Sequence, residues 1–299
     1  MSVPQSVCRT ASSARANTSS KRKRVDRAVV TLRQEPSTRL RFELVWVVIC
    51  SLVFFFALAL PVTSHAQTAP QPPAYFRQLI DTGGVKFEFY DRRPEGQRWP
   101  GRANFWLNVP YQTTYRYRTE PVGNKKLLTI DVTLESVKFE LSHKLVLPRS
   151  LNHARSWRQR LMKHEFDHVA ISSDPRMFML VEHLHRNVKQ IKATVAESET
   201  PDKKFLLSRI EKEFAARRDA VNQLIRANYV LLDKVSRHGV APIPNRRLFF
   251  ESLYTKSNLD AAGFAYTGEV LGLLKSKAYR EAKLLYDVGN GATRTKSPK

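Results

Sequence analysis

The stretch His164-Glu165-Phe166-Asp167-His168 decides how the rest of the chain reads. It is an H-E-x-x-H pattern, and on a helix its two histidines stand one turn apart on the same face. Two neutral imidazoles so placed can hold one divalent ion. The carboxylate next to the first histidine can take a proton from a water on that ion. The flanking sequence predicts the helix: residues 152–173 contain neither Pro nor Gly, and Pro148 closes the segment before them. Trp157, Leu161, His164, His168 and Ile171 recur at helical steps and form one face, apolar except for the histidines. Arg158, Arg160, Lys163 and Asp167 fall on the other faces. Core histidines satisfied by hydrogen bonds would also fit such a face, but a glutamate at the required offset favours the metal reading.

The chain has 299 residues, with 50 Lys+Arg against 27 Asp+Glu. Part of this excess lies in a basic leader over residues 1–41, followed by an apolar run at 44–60 and then Pro61-Val62-Thr63-Ser64-His65-Ala66. A basic region, an apolar run and small residues at Ser64 and Ala66 predict an export signal cleaved after Ala66. The run is at the short limit for spanning a bilayer, so residues 44–60 retained as an anchor is the alternative. Both cysteines, Cys8 and Cys50, lie in this leader. Thiolate ligands and disulfides are thereby excluded from the exported part, and a transition-metal site there must be built from His, Asp and Glu. The exported part stays basic, which suits acidic surfaces such as wall polymers or anionic lipid head groups. Nucleic acid is not expected as a partner, because no dense basic run alternates with aromatics over residues 67–290.

The sequence divides into a leader (1–66), a linker (67–84), a zinc-dependent protease-like domain (85–239) and a C-terminal extension (240–299) with one or two helices and a basic disordered tail. Residues 85–147 read as four or five strands of a small, mainly antiparallel sheet. Alternation and β-branched runs mark the strands, and turns at Gly83-Gly84, Arg93-Pro94-Glu95-Gly96 and Pro121-Val122-Gly123-Asn124 separate them. Helices follow from residue 152. Ser173-Asp174-Pro175 starts a second one, with Val181, Leu184, Val188, Ile191 and Val195 as its apolar stripe. Thr200-Pro201-Asp202 starts a third, whose stripe runs Leu207, Ile210, Phe214, Val221, Leu224, Asn228, Leu231, Val235, His238. Arg217 and Arg218 interrupt it, and a bend or break is expected there. Strands first and helices after predict an α+β fold, with a zincin-like helical segment carrying H-E-x-x-H and a long helix ending at the third ligand. Residues 271–288 are expected to be helical.

A catalytic zinc usually takes three protein ligands and leaves one position for water. Four residues compete for the third place. Asp174 reads better as a helix cap, and Glu182 as a solvated carboxylate off its stripe. His185 lies nearer that stripe and could serve as a ligand or behind one; His183 points away. His238 ends the longest stripe beside Gly239, where the backbone turns, and is the favoured third ligand; a histidine attracted to the helix C-terminus is the bland reading.

His164-Glu165-x-x-His168, followed by Leu232-Asp233-Lys234-Val235-Ser236-Arg237-His238-Gly239, resembles a bacterial family of unknown function described only as predicted secreted zinc-dependent proteases. That family has a strand region ending in proline, the H-E-x-x-H helix, and a later Tyr-Asp-x-x-Thr-x-His-Gly. The resemblance covers roughly residues 85–239. This chain departs from it at Leu232 for Tyr, Ser236 for Thr and Asp167 for Gly, and it lacks the cysteines some members carry in the strand region. The resemblance implies zinc as cofactor and supports His238 as the third ligand.

The expectation from all this is an exported zinc metallopeptidase acting on peptide or protein substrates. His164, His168 and His238 hold Zn²⁺, and Glu165 is the general base. Asp233 orients a ligand from behind, and Arg237 either stabilises an oxyanion or is a solvated surface residue. Two other readings stay open. One is a zinc-binding envelope domain without turnover. The other is a zinc hydrolase of a non-peptide cell-wall amide or ester.

Overall fold

A computed structural model describes residues 71–285 and the two-residue strand β1 (Arg27–Ala28). The rest of residues 1–66, on which the expected export signal or anchor falls, and the expected disordered C-terminal tail lie outside the described residues. Among the described residues no helix is long and apolar enough to cross a membrane.

The chain is a mixed α+β fold with two small sheets and eight α-helices among the described residues. It opens with α1 (Ala74–Gly83), within the segment read from sequence as a linker. Phe76 and Leu79, three residues apart on one face, drive this helix into the core. β2 (Val85–Tyr90), β3 (Arg102–Asn108) and β6 (Glu140–Pro148) form one sheet in the order β2-β6-β3. β4 (Tyr111–Val122) and β5 (Lys125–Val137) form a long hairpin in the other, flanked by β1 and by β7 (Gln190–Ala196). The expected strands therefore exist, but in two sheets rather than one, and β2 pairs with β6 in parallel. Period-2 alternation marks a strand and its buried face. It says nothing about which strand lies alongside.

Helix α2 (Arg160–Ser172) carries H-E-x-x-H. It begins later than the sequence suggested, because Arg149–Leu151 and Ala154–Arg158 form two short 3-10 turns ahead of it. Trp157, expected on the helix face, reaches the same core from the second turn and packs on Phe76, Phe87 and Phe166. α3 (Pro175–Arg186) starts as expected, with Asp174 accepting from Arg176 N at 2.8 Å and Pro175 at the first position. It stops at Arg186, and the rest of its expected stripe is strand β7. Ile191 pairs with Ile130 of β5, and Val188 and Val195 are buried in the core under that sheet. An apolar residue every three or four positions fits a helix face and can also fit a β-branched edge strand, so tertiary pairing decided.

α4 (Lys203–Ser236) is one continuous helix of 34 residues, capped by Asp202 on Phe205 N. The expected break at the arginine gap is absent. Leu206, Ile210 and Phe214 cover the hairpin sheet, whereas Val221, Leu224, Ile225 and Leu232 enter the larger core around α2. Arg217 stands where the helix passes from one core to the other. Its guanidinium donates to Leu184 O at 3.0 Å and to Glu213, and pairs with Glu269 at 3.3 Å. Satisfied on three sides, a buried arginine keeps the helix intact.

The segment after residue 239 shares the larger core. α5 (Arg246–Ser252), α6 (Lys256–Ala261), α7 (Thr267–Lys275) and α8 (Lys277–Arg280) contribute buried Phe250, Leu259, Val270 and Tyr279, and Leu253 and Tyr254 between them are buried as well. The single helix expected over 271–288 is thus α7 and α8 with a break at Ser276, and residues beyond 285 are outside the described part.

Candidate metal centre

α2 is buried from His164 to Ser172, so its two imidazoles and the Glu165 carboxyl are held by packing rather than by solvent. The end of α4 crosses them. Tyr229, Asp233 and Ser236 recur at steps of four and three on one face of that helix. All three meet the metal helix: the Tyr229 ring lies 4.4 Å from the His168 ring, Ser236 Oγ is 3.2 Å from His164 Nδ1, and Asp233 Oδ1 lies between both imidazoles. Asp233 Oδ1 is 3.0 Å from His164 Nε2 and 3.2 Å from His168 Nε2.

His164, His168 and Asp233 are the donors that lie within 4.8 Å of one another. Asp233, expected behind a ligand, is the third member of this group that could hold a metal ion. His238 is not a member of this group. Its Nδ1 is 3.5 Å from the same Asp233 oxygen, and its ring stacks on Trp99 at 4.0 Å. The cause is where α4 ends. The buried face runs through Leu232 and Ser236, not through Leu231 and Val235, and Arg237, His238 and Gly239 follow with φ of 50°, 54° and 79°. Three successive left-handed residues swing His238 out of the helix and over the centre's edge. Gly239 is required there, since a Cβ would fall 2.8 Å from His164 Cβ.

The donor set fits a zinc ion. A tetrahedral ion bound at about 2.0–2.1 Å needs donor separations of roughly 3.3–3.5 Å. The carboxylate–imidazole separations of 3.0 and 3.2 Å need open only by a few tenths of an ångström. With an ion bound, an Nδ1–H on His164 donating to Ser236 Oγ would leave the Nε2 lone pair for the ion; without one, Nε2 is at hydrogen-bond distance from Asp233. Gly239 N–H donates to the same hydroxyl at 3.2 Å. Two buried polar atoms, Glu165 Oε2 and His168 Nδ1, have no hydrogen-bond partner.

Burial, then the neighbouring Asp233 and Asp167, push the Glu165 carboxyl well above the usual carboxylate range. Burial lowers His168 against the pull of Asp233. Burial alone would raise Asp233, but hydrogen bonds from the two imidazoles outweigh it and hold the carboxyl far below its usual range. Asp167 does not join the centre; it is clamped by a bidentate pair with Arg246 of α5.

A cleft of about 340 Å³ opens over the site. Its floor is Glu165, His168 and Asp233, and the loop before β3 supplies its far wall with Trp99 and Gly101. A Cβ on Gly101 would lie 2.7 Å from Glu165 Cδ and 2.7 Å from Leu161 Cδ1, so the backbone there is in direct contact with the carboxyl. β3 starts at the next residue and pairs only with β6 among the described strands, leaving its other edge unpaired. No motif announced this loop; its one sequence signal was the turn at Arg93-Pro94-Glu95-Gly96.

Two expected contributors are elsewhere. His185 is buried beside Tyr111 and Phe214, with Nδ1 bonded to Val181 O at 2.9 Å. Phe214 and Asp233 are nineteen residues apart on α4, or about 28 Å, so His185 cannot serve the centre. Arg237 is exposed and does not line the cleft. Glu182 pairs with Arg186 at the surface, as a solvated carboxylate would. No protein-family model, curated protein or solved structure matches the chain.

Proposed function

We propose that this chain is a zinc-dependent metallopeptidase that works outside the cytoplasm. The observation that carries the reading is the convergence of His164, His168 and Asp233 at one point, with the buried Glu165 carboxyl beside it on the cleft floor. A zinc ion held by those three residues supplies Lewis acidity and lowers the pKa of water toward neutrality. Glu165 takes the proton from the attacking water and returns it to the leaving amine. Its enclosure keeps other water away from the carboxyl. Burial by itself holds a proton on the carboxyl, and a dication beside it would favour the carboxylate, so the two act in opposite directions on the base. Ser236 fixes the ring of His164, and the stacked Trp99–His238 pair closes one side of the cleft. The free edge of β3, running from the cleft wall, can take an extended peptide by adding it as a further strand.

The test is Glu165→Gln in the exported chain, residues 67–299. The variant should bind one zinc like the wild type and hydrolyse no peptide. Wild-type turnover in the variant would remove Glu165 as the base. A wild type that binds zinc but cleaves only amide or ester bonds of wall polymers would replace the peptidase reading with the hydrolase one.

A further inference from the structure

Two cavities share His164 as a wall. The cleft lies on the side of Leu161, Glu165 and His168, which sit at about +40° to +100° around α2 from His164. The second, of about 350 Å³, lies on the side of Arg160, Lys163 and Asp167, at about −40° to −100°. A chain laid past His164 would have a cavity on each side of that residue.

The charges around this path are one-sided. Arg98 and Arg102 line the cleft, and Arg160 and Lys163 line the second cavity. Among the described residues none of these four is within ion-pair distance of a carboxylate. Arg98 sits over the Trp99 ring, Arg102 donates to Asn104 and Arg160 to Val240 O, and each uses only part of its donors. Elsewhere on the surface Arg118, Arg149, Arg186, Arg247 and Lys256 are paired with acids and others, such as Lys86 and Lys192, are in no ion pair among the described residues, so what sets these four apart is their place around the centre. The acids that do line the two cavities are committed: Asp167 to Arg246, and Glu165 and Asp233 to the centre. Low-dielectric walls focus the field of the unpaired cations into the path.

We propose that the substrate is an acidic polypeptide, with carboxylate side chains on both sides of the reacting bond. Arg98 and Arg102 read the acids on one side, Arg160 and Lys163 those on the other. A flat anionic membrane does not reach them in the same way, because the cavities are recessed around a histidine that is 5% exposed. The proposal rests on the peptidase reading, and its test is separable from it.

Glu165→Gln protein is titrated with a fluorescein-labelled peptide bearing two glutamates on each side of a central dipeptide, and with the same peptide carrying glutamine instead. At roughly threefold per exposed ion pair, the acidic peptide should bind about tenfold or more tighter, with the gap shrinking as salt rises. The doubles Arg98→Gln/Arg102→Gln and Arg160→Gln/Lys163→Gln should each remove part of that gap. Wild-type enzyme should show the same ratio in kcat/KM. Equal binding of the two peptides would overturn the proposal, even if both are cleaved. So would a gap that both doubles leave intact, or capture by phosphatidylglycerol vesicles but not by the acidic peptide. Tight acidic-peptide binding without any cleavage would uphold the substrate class and sink the peptidase reading alone.

Discussion

Replacing Gly101 by alanine perturbs the proposed base, Glu165, and not the residues proposed to hold the metal. The added Cβ would lie 2.7 Å from Glu165 Cδ and equally close to Leu161 Cδ1. Carbon atoms rest at about 3.5–4.0 Å, so the carboxyl must retreat by roughly 1 Å or the loop must lift by as much. Glu165 is 2% exposed, so its carboxyl can move only by displacing neighbours or by shifting into the cleft it floors. A displacement of that size in a reacting group costs on the order of 10²-fold in rate. Zinc affinity should change little, because the nearest atoms to the new methyl belong to Glu165 and Leu161 and not to His164, His168 or Asp233. Gly272→Ala in α7 is the control, since its Cβ meets nothing within 4 Å. It should leave turnover alone and add about 0.5–1 kcal/mol to stability through helix propensity. The assay measures peptide hydrolysis, zinc stoichiometry and thermal unfolding on all three proteins. Full turnover in Gly101→Ala with unchanged zinc would mean that the Glu165 carboxyl does not have to be where the structure puts it, and the base assignment would fail.

Asp233→Ala should lower zinc affinity far more than His238→Ala, for which about 10–100-fold is expected of a residue acting through a ligand; competition with a chelator ranks them, and the reverse order would return the third place to His238. Burial holds the imidazoles of His143 and His185 neutral, each lowered to about 4. The unfolded chain takes up protons below about pH 6.5 and the fold does not, so stability is complete above that pH and falls as pH drops toward 4. Each imidazole contributes on the order of 3 kcal/mol to the full loss and about 2 kcal/mol of it between pH 7 and pH 5, which urea unfolding at those two pH values should register; a His185→Asn protein that loses as much stability as wild type over this range would refute the assignment. Arg217→Met strands the Glu269 carboxylate at the junction of the two cores and should destabilise by about 3–5 kcal/mol; a change under 1 kcal/mol would mean the guanidinium is dispensable there.

Much of the site was legible before folding. His164, Glu165 and His168 are a local pattern: helix geometry alone brings residues one turn apart onto one face, and nothing distant can undo that. Caps are local too: Asp174 starts α3 with Pro175 at its first position as read, and α4 starts within the expected segment but at Asp202, with Pro201 ahead of the cap. The strands of residues 85–147 followed from alternation for the same reason.

What only the tertiary structure decided were the long-range choices. Whether the apolar residues from Val188 to Val195 coil or extend depended on the free edge of β5. Whether Asp233 or His238 faces the histidines depended on a rotation of about 100° per residue at the end of a 34-residue helix, where a slip of one position moves a side chain off the site. Whether Arg217 breaks α4 depended on Leu184 O, Glu213 and Glu269 being there to receive it. The sequence by itself determined the chemistry one helical turn can hold; the meeting of two helices determined which carboxylate completes it, because that meeting is set by packing of side chains far apart in the chain.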